Sequence, residues 1–202
     1  MELINILFLF FSGLSLAMPR PVELYPRQAQ VVITRGSGSG AGCPAGTRGN
    51  IINNGQAVDM ILPVFNVSST GGARTLQCRV SIDMTFPAGC RALAIISRRD
   101  VFAKFPSGGS ATIDSTYTIS SPGGLTDPNP ALRLSGGGFA GGSRFIDEDG
   151  IAMTSGRIDA SRNYIFTDLV SNTVDPGAAP RSGYSHVTNI NYRISSQSVC
   201  NP

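Results

Sequence analysis

The stretch that decides the fold is Cys78-Arg79-Val80-Ser81-Ile82-Asp83-Met84-Thr85-Phe86. Cys78, Val80, Ile82, Met84 and Phe86 fall on one side of an extended chain, and Arg79, Ser81, Asp83 and Thr85 fall on the other. Alternation with a period of two marks a strand with one buried face and one wet face. Pro87-Ala88-Gly89 then supplies the residues that turn the chain.

Segments 91–97, 101–105, 111–120, 131–134, 163–169 and 185–194 follow the same pattern, and 30–34 and 58–67 are further candidates upstream. In 111–119, Ala111, Ile113, Tyr117 and Ile119 oppose Thr112, Asp114, Thr116 and Thr118. In the last segment Thr188, Ile190, Tyr192 and Ile194 oppose Asn189, Asn191 and Arg193. Pro63 inside 58–67 requires an edge strand or a bulge, because proline cannot donate to a sheet ladder. No segment sustains an apolar period of 3.6 with caps, so helix is minimal. The expectation is an all-β fold: an antiparallel β-sandwich, jelly-roll or immunoglobulin-like, in which hairpins dominate. Glycine- and proline-rich stretches at 35–42, 121–130, 135–143 and 175–183 read as loops.

The chain of 202 residues carries 41% hydrophobic and only 14% charged residues, which excludes charge-driven disorder, a coiled coil and a polybasic nucleic-acid arm. Residues 1–17 read as a secretory signal peptide: the apolar run from Leu3 to Leu16 ends at Ser15-Leu16-Ala17, with small residues at the two positions a signal peptidase reads. Pro19 and Pro21 stop any helix beyond it, and the apolar run is shorter than the roughly 20 residues that span a bilayer. Residues 18–29 form an extended proline-containing leader, and 30–202 one secreted domain with no membrane segment after cleavage. Without Glu2 the charge is +4, from sixteen basic and twelve acidic residues, and Lys104 is the single lysine. Apart from Arg98-Arg99 the cations are scattered, which favours solubility over a nucleic-acid partner. Arg98-Arg99 reads as the end of a strand in preference to a dibasic processing site.

Four cysteines entering an oxidising compartment imply two disulfides. If Cys78 opens one strand of a regular hairpin and Cys90 follows its turn, the two lie too far apart to bond, since eight residues of strand span roughly 26 Å. Two arrangements remain: Cys43–Cys78 with Cys90–Cys200, which is preferred, or Cys43–Cys90 with Cys78–Cys200. The sequon Asn66-Val67-Ser68 marks Asn66 as a candidate glycosylation site.

Candidate chemistry is sparse. The glycine-rich loops lack the Lys-Ser/Thr of a phosphate cradle, and no cofactor is expected. Asp147-Glu148-Asp149 lacks the spacing of a calcium loop, and Asp149-Gly150 between apolar pairs reads as a hairpin turn. His186, the single histidine, has Ser182 and Ser185 nearby but no nucleophile elbow, and it has no partner spaced for a metal. No tryptophan is present, and of the five tyrosines only Tyr25 and Tyr184 fall in expected loops, so a stacking platform for sugars is lacking.

Gly42-Cys43-Pro44-Ala45-Gly46-Thr47, then Gln77-Cys78-Arg79-Val80 and Phe86-Pro87-Ala88-Gly89, then an alternating stretch and Cys200, resemble a family of small secreted fungal proteins known as domain of unknown function 4360. The resemblance runs from about Gly42 to Cys200 and implies secretion and an all-β fold. It implies no activity, cofactor or catalytic residue. Family members usually have an aromatic residue after the FP-x-G turn, where this chain has Cys90, and a further cysteine near the C-terminus that this chain lacks, so no disulfide pairing follows from the resemblance. The reading ranked first is a secreted, non-catalytic β-sandwich that interacts with a host or a cell surface through an extracellular protein or glycan. An extracellular glycan-binding module is the alternative. A hydrolase using Asp147, Glu148 or His186 ranks third.

Overall fold

The structure, a computed structural model, describes residues 30–120, 125–135, 139–154, 162–178, 182–195 and 199–200; the expected signal peptide and leader lie outside them. Thirteen strands run through these residues. They are β1 (Val32–Ser39), β2 (Thr47–Arg48), β3 (Asn50–Ile52), β4 (Ala57–Ile61), β5 (Asn66–Ser69), β6 (Arg74–Phe86), β7 (Cys90–Lys104), β8 (Ser110–Ser120), β9 (Leu125–Ser135), β10 (Ser143–Thr154), β11 (Arg162–Asp175), β12 (Gly183–Ile194) and β13 (Val199–Cys200). A short 3₁₀ turn at Asn53–Gly55 links β3 to β4.

All pairings are antiparallel and form two packed sheets. The six-stranded sheet has the order β2-β1-β6-β11-β8-β9. The seven-stranded sheet has the order β10-β7-β12-β4-β3, with β5 also on β12 and β13 on β7. Inward residues alternate as the sequence requires: Val80, Ile82 and Met84 of β6 meet Val58 and Met60 of β4, Val187 and Ile190 of β12, and Phe166 of β11 in one core. Each such fully buried side chain contributes roughly 1.5–3 kcal/mol.

Local hairpins do not dominate. Neighbours in sequence pair at β1–β2, β3–β4 and β8–β9, whereas β6 pairs with β1 and β11, and β7 pairs with β10 and β12. The Pro87-Ala88-Gly89 turn therefore carries the chain from one sheet to the other and closes no hairpin. Disulfides join Cys43 to Cys78 and Cys90 to Cys200, over sequence separations of 35 and 110. The first holds the loop after β1 against β6, and the second fixes the C-terminal strand to the start of β7. Cys78 and Cys90 lie in different sheets, so the hairpin distance used to separate them does not apply.

Several expected loops are strands. Residues 35–39 belong to β1, because Gly36 lets the two sheets approach: a Cβ on it would lie 2.7 Å from Val58 Cγ2. Residues 125–130 belong to β9, an edge strand that pairs with β8 alone among the described residues, where Pro128 and Pro130 need no ladder hydrogen bond on the free side. Segments 91–97 and 101–105 merge into β7, which puts Arg98-Arg99 in mid-strand with Arg99 fully buried. The expected hairpin turn at Asp147-Glu148-Asp149-Gly150 is the middle of β10, in continuous register with Arg99, Arg98, Ser97 and Ile96 of β7.

Candidate functional site

β10 pairs with β7 along its whole length and turns two carboxylates inward. Its register sets Phe145, Asp147 and Asp149 on the inner side opposite Val101, Arg99 and Ser97, and Arg144, Ile146 and Glu148 on the outer side. The Arg99 guanidinium, wholly buried, bonds Asp149 through Nη2, faces Asp147 Oδ2 from Nη1 at 3.4 Å, and donates to Tyr117 Oη at 3.1 Å. From the other sheet Asp168 accepts a 2.7 Å hydrogen bond from the Tyr192 hydroxyl. Five strands thus place their polar inward side chains in one cluster between the sheets.

Burial acts to lower the Arg99 pKa, but the negative potential of Tyr117, Asp168, Asp147 and Asp149 outweighs it and the net shift is upward. Burial pushes Asp168 up to about 6, against the opposing pull of the Tyr192 hydrogen bond and of Arg99. It also raises Asp147, Tyr117 and Tyr192. These are the signs of a structural polar core. The grooves at the surface are lined by other residues, and the core's effect on them is indirect: by holding Asp147 and Asp149 inside, Arg99 fixes which β10 side chains face outward.

The outer face of the seven-stranded sheet carries the strongest candidate site. A groove of about 670 Å³ is lined by Asp100, Val101 and Phe102 of β7, Arg144, Phe145 and Ile146 of β10, and Thr188 of β12. A bulge makes room for it. β12 pairs Val187 with Val101 and Asn189 with Asp100, leaving Thr188 as the extra residue, and the Thr188 hydroxyl donates to the Asp100 carbonyl at 3.2 Å. Phe102 forms one end of the floor. Its ring lies 6.0 Å from that of Tyr184, which is 6.3 Å from His186, all on the outer face. Gly142, at φ +84°, crosses beside Phe102, and a Cβ there would stand 2.6 Å from the ring. Arg98 and Asp100 approach to 4.0 Å, and Arg193 bonds Glu148 at 3.0 Å across β7.

The residues singled out in the sequence are spread over this framework. Glu148 and His186 share the outer face, on different strands, whereas Asp147 and Asp149 point inward. His186 Nε2 lies 3.1 Å from the Leu62 carbonyl oxygen, and Ser185 is buried on the opposite side of β12 from it. The structure does not bring these groups together as a hydrolase would require. Asn66 is exposed on β5 and pairs with His186, so its side chain belongs to the same outer face. Tyr184, expected in a loop, is in β12, where its half-buried ring lies beside that of Phe102 on the outer face. Tyr25 lies outside the described residues. Among the described residues no group of three or more His, Cys, Asp or Glu could hold a metal ion.

The groove residues escaped the sequence reading for a local reason. Phe102 sits between Val101 and Ala103, so no alternation marks it as outward. Alternation alone puts Thr188 in the buried set, although Val187 and Ile190, both inward and three apart, mark the bulge.

Solved structures of similar arrangement include TmCBM61 in complex with β-1,4-galactotriose (11% identity, 79% of this chain and 88% of that one, TM-score 0.26). Others are the xylan-binding module CBM15 (9%, 85% and 99%, TM-score 0.30) and the carbohydrate-binding module TmCBM27, described for specific mannan recognition (11%, 83% and 100%, TM-score 0.28). No curated protein matches the chain. A family model described as a domain of unknown function (DUF4360) matches residues 29–198, and the chain belongs to that family.

Proposed function

We propose that this protein is a non-catalytic glycan-binding β-sandwich that works outside the cell and takes its ligand in the groove beside Thr188. The observation that carries the reading is the pairing, in one groove, of an apolar floor from Phe102 and Ile146 with polar groups from Asp100, Thr188 and Arg144. A sugar ring presents C–H groups on its faces and hydroxyls around its rim. An aromatic ring receives the first, and carboxylate, hydroxyl and guanidinium groups receive the second. Export is supported by the signal-like segment at 1–17 and by two disulfides. A glycan on Asn66 would project from the same sheet face.

Screening the secreted protein on a glycan array, followed by titration calorimetry, tests this. Binding that is lost in Phe102→Ala while the fold is retained is the expected result. A blank array at high protein concentration overturns the reading. Exposed Ile61 and Ile146 on the same outer face (64% and 59% exposed) favour a second reading, a protein partner at a host or cell surface.

A further inference from the structure

We propose that the groove selects acidic glycans, with Arg144 receiving a hexuronate carboxylate and Lys104 adding positive charge beside it. This rests on the glycan-binding reading above and names its ligand class.

The argument is one of unbalanced charge around Phe102. On the outer face of the seven-stranded sheet each acid faces a polar side chain: Asp100 stands 4.0 Å from Arg98 without a hydrogen bond, Glu148 bonds Arg193, and Asp59 accepts from Asn191. The cations on either side of Phe102 do not. Arg144 is paired directly with Phe102 across β10 and β7, and Lys104 is the next outward residue of β7, roughly 6.6 Å further along the strand. Both are exposed, and among the described residues neither has an acidic partner. Arg144 also lines the groove. A guanidinium meets a carboxylate through two parallel N–H···O bonds, which fixes both position and orientation. A uronate stacked by its C–H face near Phe102 would direct its equatorial carboxylate outward from the ring toward these cations. A neutral hexose offers only a hydroxymethyl group there. Arg98 and Arg193 each have an acid beside them, at 4.0 and 3.0 Å, so Arg144 and Lys104 supply the unmatched charge.

The test titrates the secreted protein with oligogalacturonate, oligoglucuronate and oligomannuronate, each beside its methyl ester, which keeps the sugar and removes the charge. At least one uronate should bind about tenfold more tightly than its ester, and the gap should close in Arg144→Gln and narrow as salt rises. Arg144 is exposed, so its variant should fold, and Arg79→Gln on the outer face of the other sheet serves as the control that leaves the gap intact. If esters or neutral oligosaccharides bind as tightly as the uronates, or if Arg144→Gln keeps the preference, the acidic-ligand proposal is wrong and the glycan-binding reading stands. If neither the uronates nor their esters bind, the acidic-ligand proposal is wrong, and the glycan array decides the broader glycan-binding reading separately.

Discussion

Mild acid should stabilise this protein, and Asp168 is the reason. Its carboxyl is fully buried and titrates near pH 6, against a reference value of 3.8. The folded state therefore holds this proton to a higher pH than the unfolded chain does. The resulting stabilisation is complete below about pH 4, falls as pH rises, and is gone above about pH 7. The full span is about 3 kcal/mol, and the step from pH 7.5 to 5 is about 1.4 kcal/mol, or about 3–6 °C in Tm for a domain of this size. Asp147, also raised by burial, acts in the same sense. Urea unfolding at pH 7.5, 6 and 5 with disulfides intact measures the effect; tyrosine emission can report it, since the chain has no tryptophan. Asp168→Asn keeps an acceptor for the Tyr192 hydroxyl but cannot titrate, so its profile should be flatter than that of the parent. Parallel profiles, or a parent that loses stability between pH 7.5 and 5, would refute the reasoning.

Replacing Arg99 by Met leaves Asp147 and Asp149 without their cation and should cost about 3–5 kcal/mol, with faster amide hydrogen exchange concentrated in β10. Gly142→Ala meets both the Phe102 ring and a left-handed backbone; a loss of about 1–3 kcal/mol in urea unfolding, together with weaker ligand binding, is expected. Removing the Cys90–Cys200 bridge as Cys90→Ala/Cys200→Ala should cost about 2–5 kcal/mol, read as a lower Tm without a change in far-ultraviolet circular dichroism at 20 °C.

The fold class is legible in the residues alone, because burial of one face of a strand leaves a period of two that needs no partner to be read. Val80, Ile82 and Met84 are buried just as their alternation demands, and so are Ile113, Tyr117 and Ile119. Tertiary structure decided the rest. Asp149-Gly150 carries a strong local turn signal, yet β10 runs straight through it, because the register with β7 delivers Asp147 and Asp149 to a buried guanidinium fifty residues earlier in the chain. Gly36 of β1 looks like part of a loop until Val58 closes on it from the other sheet. The groove depends on two pairings, β10 with β7 and β7 with a bulged β12, that bring Arg144, Phe102 and Thr188 together from three distant segments. Alternation tells which side of a strand is dry, but it carries no record of which strand lies next to it, and a binding face is made of neighbours.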